Sequence, residues 1–227
     1  MSDLIIISCT TKNNTDCQST RIYQSHKELN KDNSIKLDLI TNNKTGLPAV
    51  YNKKIEEYKN SGVEYLLFAH DDVYIDDLKL ISKLKTAHEK NGYDIIGLAG
   101  GLDPVIKHPV LWHIMTERNN YRGCVFHYNK DGTIFSSGFG PTPSRVALID
   151  GLFIAIHLPT ILKVGWRFNE NYEFHHYDLA SCIDANRLKL KIGVYPIHVI
   201  HDSHGLLSLD DPKWKTSNQK FLKEYSR

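Results

Sequence analysis

Residues 3–11, DLIIISCTT, limit the fold more than any other stretch of the chain. Their apolar, largely β-branched side chains follow one another without the alternation of a half-exposed strand. Such a run belongs to a strand buried on both faces, the usual state of a parallel sheet covered by helices. Further runs follow, with helical segments between them. RIYQSHKELNKD reads as an amphipathic helix, SIKLDLITN as a second strand, and LPAVYNKKIEEYKNSG as a helix stopping near Gly62. VEYLLFAH is a third strand. DDLKLISKLKTAHEKNG is a helix that ends at Gly92, and YDIIGLAGG reads as a fourth strand. Strands and helices in this order predict an open α/β sheet, mostly parallel, flanked by crossover helices.

The pattern breaks between about residues 102 and 145, where Pro104, Pro109, Pro141 and Pro143 interrupt it. Inside that region GCVFHYNKDGTIFSSG predicts a hairpin turning at Asp131-Gly132. Beyond it, VALIDGLFIAIHLP resumes as strand, YDLASCIDANRLKLKIG as helix, and VYPIHVIHDSHG as a last strand. A tail from about residue 206 ends in a helix, NQKFLKEYSR. With 227 residues, we expect a single domain over 1–227 with 102–145 as an insertion.

Several function classes fall away on composition. Lys and Arg number 28 against 26 Asp and Glu, so no broad basic field marks nucleic acid as a partner. The four cysteines, Cys9, Cys17, Cys124 and Cys182, form no C-x-x-C pair, which argues against a zinc knuckle or redox motif. Scattered thiols fit a reducing compartment. The most apolar segment, VALIDGLFIAIHLP, contains Asp150 and falls short of the roughly 20 residues of a membrane helix. No basic leader precedes LIIIS. These features predict a soluble, cytoplasmic protein with no integral membrane segment. P-loop, G-x-G-x-x-G and G-x-S-x-G signatures are all missing.

Chemistry concentrates at the ends of predicted strands, where open α/β sheets bind ligands. EYLLFAHDD ends a buried strand in His70, Asp71 and Asp72. Paired carboxylates there make a hard oxygen site for Mg²⁺ or Mn²⁺, or else they close the strand and cap a turn. Asp76-Asp77 directly precedes a helical run, so we expect it to cap that helix. Asp178 also stands at a helix start. Position alone favours a cap, while a carboxylate there also suits a general base acting on a hydroxyl. Asp150-Gly151 puts a carboxylate inside an apolar strand, so it needs a buried partner or a polar cleft. His201 and His204 follow the last strand and either reach a common site or sit solvated in a turn. His198 and His201 point to opposite faces.

Taken in order, these features resemble the GT-A fold glycosyltransferases of the family 2-like group. The resemblance runs over GLPAVYNKKIEEYKNSGVEYLLFAHDDVYI and then from IDGLF to HDSHG, about two thirds of the chain. Members carry D-x-D or H-D-D after a core strand, then a D-G strand, then Y-D or E-D at a helix start. A late His often stands at a strand end. Here His70 takes the first position of the D-x-D. Ala180 stands where related sequences often show a second acidic residue.

The resemblance implies a Rossmann-like, nucleotide-diphospho-sugar transferase fold and a metal-dependent, inverting glycosyltransferase of the hexosyltransferase type. It implies Mn²⁺ or Mg²⁺ held by Asp72, Asp71 and His201, with Asp178 as catalytic base. Ser8, Thr10 and Thr11 would meet the nucleotide, Asp71 would lie near its ribose, and Asp150 and Gly151 would line the acceptor side. The donor would be a nucleotide-diphosphate sugar, a UDP-sugar above all, and the acceptor a saccharide or other hydroxyl. Trp112, Arg118, Tyr121, Arg122 and Arg145 of the insertion would shape the acceptor site. A nucleotidyltransferase and a catalytically idle nucleotide-sugar-binding module are the alternatives. The first would show a glycine-rich basic loop after the first strand, which SCTTKNNTDCQS is not.

Overall fold

The computed structural model describes residues 3–31, 33–202 and 209–226. His204 lies outside the described residues. The chain starts with β1 (Leu4–Cys9), α1 (Arg21–Leu29), β2 (Ile35–Ile40), α2 (Leu47–Tyr58) and β3 (Tyr65–Ala69). After β4 (Val73–Ile75) come α3 (Leu80–Glu89), β5 (Ile95–Gly97) and β6 (Ala99–Gly101). The middle holds α4 (Trp112–Met115), the hairpin β7 (Tyr121–Tyr128) and β8 (Ile134–Gly140), then β9 (Ser144–Val146) and β10 (Leu148–Ile149). The rest is β11 (Phe153–His157), α5 (Leu158–Val164), α6 (Tyr177–Arg187), β12 (Ile192–Val194), β13 (Val199–His201) and α7 (Pro212–Tyr225).

Two mixed sheets result. The larger runs β2-β1-β3-β11-β5-β12-β9 and the smaller β10-β6-β7-β13-β4, with β8 paired to β7. Parallel pairing joins β2 to β1, β1 to β3 and β5 to β12, while β11 lies antiparallel between β3 and β5. The continuous apolar runs explain the centre. Leu4, Ile6, Ile7, Leu66, Leu67, Phe68, Phe153 and Ile156 are all buried without exposed area.

Tyr51 of α2 packs on Phe68, with ring centroids 4.6 Å apart, and on Phe168 at 5.2 Å. Trp166 and Tyr177 complete this aromatic block under the start of α6. Truncating a ring as deeply buried as Phe68 would cost about 3–5 kcal/mol.

YDIIGLAGG does not form one strand. It divides at Leu98 into β5 of the larger sheet and β6 of the smaller. The glycines allow this crossing. A Cβ on Gly100 would stand 2.0 Å from the carbonyl oxygen of Leu148 on β10, so only glycine lets the backbones approach. Past the crossing, the Ala99 carbonyl of β6 accepts from the Asp150 N–H at 3.0 Å, which ties β6 to the turn that carries Asp150. Among the described residues, no helix is long and apolar enough to cross a membrane.

Candidate active site

β3 ends at Ala69, and the chain turns through His70, Asp71 and Asp72 into β4. Two bonds hold the turn from opposite sides. The His70 N–H donates to the Leu152 carbonyl at 3.1 Å, and the Asp202 N–H donates to the Asp72 carbonyl at 2.9 Å. β4 pairs antiparallel with β13, placing His201 opposite Val73. This pairing brings His201 Nε2 to 3.2 Å from Asp72 Oδ2.

His70, Asp72 and His201 each offer a ligand atom, and the three atoms lie within 4.8 Å of one another. Burial tends to lower the His201 pKa. The hydrogen bond and charge of Asp72, with Asp150 and Asp202, outweigh it and hold the value above the usual one. Asp72 is half-buried, which opposes ionisation, yet His201 and His70 hold its carboxyl below the ordinary value. Burial keeps the His70 pKa low despite the nearby carboxylates, so its ring is neutral and able to ligate.

Do these residues fit a divalent ion? Asp72 Oδ1 is buried with no hydrogen-bond partner among the described residues. A buried carboxylate oxygen left so is costly, and a cation is the partner it lacks. Two imidazoles and a carboxylate form a mixed nitrogen–oxygen donor set that first-row transition ions accept. The residues fit the group.

His70 also lines a cavity of about 320 Å³ with Trp112, Asp150, Gly151, Phe174, Tyr177, Asp178 and Trp214. α6 begins at Tyr177 after His176, whose φ of 65° turns the chain sharply into the helix. Asp178 sits in the first turn of α6. It is not the N-cap that its position suggested, because His176 holds that place. Burial, then the charge of Asp150, raises the Asp178 carboxyl from 3.8 to about 7. The backbone N–H groups of Leu179, Asp178 itself and Gly151 offset part of the rise.

Asp150 meets the partners that its apolar strand demanded. Trp112 Nε1 donates to Oδ2 at 3.1 Å, and the Leu152 N–H donates to Oδ1 at 3.0 Å. Gly151 is tightly hemmed in. A Cβ there would stand 2.9 Å from Tyr177 Oη and 3.1 Å from Asp178 Cβ. The Tyr177 hydroxyl donates to the Gly151 carbonyl at 2.8 Å and lies 3.4 Å from His70 Nε2. Tyr177 thereby ties the cavity floor to the HDD turn.

The carboxyl end of β1 lies on the other side of the turn. Ser8 and Thr10 are buried and Thr11 is exposed. Ser8 Oγ has no partner among the described residues, while Thr10 Oγ1 accepts from the Lys12 N–H at 3.2 Å. Asp71 belongs to this side. Burial, then the charges of Asp38 and Asp71, pushes the Cys9 thiol up to about 12. The Asp71 carbonyl accepts from the Ile22 N–H of α1 at 3.2 Å. The structure thus brings Asp72 and His201 together, adds His70, and does not bring Asp71 to them.

Two sequence expectations need correction or completion. Asp76 and Asp77 do not cap α3, which starts after Lys79 with no side-chain cap. Asp77 instead closes the preceding turn on the Lys79 N–H. It also accepts from the His198 N–H at 3.0 Å and Lys83 Nζ at 2.6 Å. Asp76 faces His198 at 3.3 Å. The sequence offers His70 only as the first position of the HDD motif, not as a ligand, and does not mark Tyr177 as a site residue. The sequence signal for His70 was its place in HDD at a strand end. Nothing local marked Tyr177, whose role depends on Gly151 far along the chain.

Paired mixed sheets flanked by helices, with a metal-capable turn at the end of a central strand, define an α/β protein of the GT-A glycosyltransferase fold. Residues 5–225 match the glycosyltransferase-like family, and the chain belongs to that family. It is a glycosyltransferase-type transferase, with a nucleotide-sugar donor and an acceptor implied by the family. Among solved structures it is similar to A197 from STIV, at 11% identity and a TM-score of 0.53, covering 89% of this chain and 86% of that one. It also resembles S. aureus TarS 1-349, at 12% identity and a TM-score of 0.48, covering 89% of this chain and 60% of that one. No match was found among curated proteins.

Proposed function

We propose that this protein is a metal-dependent, inverting hexosyltransferase that moves a sugar from a nucleoside-diphosphate sugar, a UDP-sugar above all, to an acceptor hydroxyl. One observation carries the reading: His70 belongs both to the metal-capable cluster and to the cavity that holds Asp178. Donor activation and acceptor deprotonation then meet at one wall.

His70, Asp72 and His201 would hold the ion, and their mixed donor set favours Mn²⁺ over Mg²⁺. When bound, such an ion neutralises charge on the departing diphosphate. Ser8, Thr10, Thr11 and Asp71 face the nucleoside. Trp112 and Trp214 close the sides of the acceptor cavity, and Asp150 and Gly151 line its floor.

Asp178 removes the proton of the attacking hydroxyl. A carboxyl near 7 is half ionised at neutral pH, which suits a general base. The Gly151 and Leu179 N–H groups beside it favour its ionised form. One base and one displacement invert the anomeric centre. The chain acts as one catalytic domain over 1–227, with 102–145 as an insertion and a tail from about 206. Its four free cysteines support a cytoplasmic setting.

The test is a panel of nucleoside-diphosphate sugars and hydroxyl acceptors, with and without Mn²⁺. The reading expects nucleoside diphosphate to be released only with the ion. Pyrophosphate release would make the protein a nucleotidyltransferase, and binding without turnover an idle module.

A further inference from the structure

A second hollow opens beside the cavity, in the wall formed by residues 171–175 and the first half of α7. Its volume is about 690 Å³. Phe174 and His175 line both hollows, so the two adjoin at these residues. Ligand sites run on the order of 300–1,000 Å³. At 320 Å³ the inner cavity has the size for one sugar unit, and the outer groove has room for more than one.

The groove walls have the chemistry of a neutral saccharide site. Phe174 is 55% exposed although it stacks near the His70 ring, at 5.9 Å and 24°. A large aromatic left open at the join of two hollows offers an apolar face of the kind that packs on a pyranose ring. Around it Glu173 and Asp211 are balanced by Lys213 and Lys220. Such a balance gives hydrogen-bonding groups of both kinds and no net field to attract a polyanion.

The wall is also firmly built. Asp211 caps α7 through the Lys213 N–H at 2.9 Å, Ser217 Oγ donates to the His175 carbonyl at 2.8 Å, and Lys220 Nζ donates to the Asn171 carbonyl at 2.8 Å. Its position is therefore set before any ligand arrives.

We propose that this groove is a subsite for the acceptor, and that the acceptor is a neutral saccharide chain of several units. Its terminal hydroxyl enters the inner cavity, the next ring lies on Phe174, and further rings follow α7 outward. This deepens the transferase reading and rests on it.

Binding of neutral oligosaccharides tests it without turnover. Two series of one to six units, built from glucose and from N-acetylglucosamine, are titrated against the full chain by saturation-transfer NMR and calorimetry. In at least one series the affinity rises roughly tenfold or more from one unit to three or four, then levels off. Thr216→Trp, which fills the groove from an exposed position on α7, abolishes that gain and leaves single-unit binding unchanged. Phe174→Ala also abolishes the gain.

Affinity that does not depend on length, binding of neither series, or a gain that survives Thr216→Trp would each overturn the proposal. Donor cleavage without acceptor, followed as nucleoside diphosphate release in the unsubstituted protein, separates the two readings. Release there with no length effect on saccharide binding sinks the subsite alone. No release from any donor in the unsubstituted protein, with length-dependent binding intact, sinks the transferase reading alone.

Discussion

Replacing Asp178 with Asn tests the cavity electrostatics apart from any substrate. Burial and Asp150 raise this carboxyl from 3.8 to about 7. Between those two values the folded state keeps a proton that the unfolded state has lost. The resulting stability is full below 3.8 and disappears as the pH rises through about 7.

Each pKa unit is worth about 1.4 kcal/mol, so three units set a ceiling of about 4 kcal/mol across the full window. Between pH 5 and pH 8.5 the change amounts to about 2–3 kcal/mol, allowing for partial solvent access to the carboxyl. Asn has nearly the same shape, carries no charge, and can still accept from backbone N–H groups through Oδ1. Urea unfolding of both proteins at the two pH values measures the difference, and groups common to both cancel. The Asn variant should gain about 2–3 kcal/mol relative to the unsubstituted protein on going to pH 8.5. A difference that stays flat with pH would refute the reasoning.

Other expectations follow from the same geometry. The kcat/KM profile should rise through about pH 7 as Asp178 ionises, and Asp178→Asn should remove both that limb and turnover, by about 10²-fold or more. Asp72→Ala removes the carboxylate between two imidazoles, so Mn²⁺ affinity followed by electron paramagnetic resonance should fall about 10–100-fold or more. Tyr177→Phe leaves the Gly151 carbonyl without its 2.8 Å donor. It should cost about 1–3 kcal/mol in urea unfolding and weaken Mn²⁺ binding less than Asp72→Ala does.

The α/β layering could be read from the chain because the buried runs in β1 and β3 leave no polar face to expose. Their helices could be read for the same reason, from side chains spaced to cover that sheet. The division of YDIIGLAGG between two sheets could not, because it follows from close passage against Leu148 and Ile149. HDD at a strand end was visible as a site. The resemblance pointed to Asp72 with His201, but that His70 joins them, and that Asp71 does not, depends on the β4–β13 pairing. Asp77 shows the limit of local capping rules. A carboxylate beside a helix start was drawn instead to Lys83 and the His198 N–H, partners remote in sequence or off its own turn.

The anomeric configuration of the first-formed product tests the central claim most directly. Proton NMR of the product formed with Mn²⁺ and then freed of the ion by a chelator, on a donor and acceptor from the panel, reads it from the anomeric coupling. An α-linked donor should give a β-linked product, and Asp178→Asn should form none. A product that retains the donor configuration, or equal rates in the two proteins, would contradict a single displacement driven by Asp178.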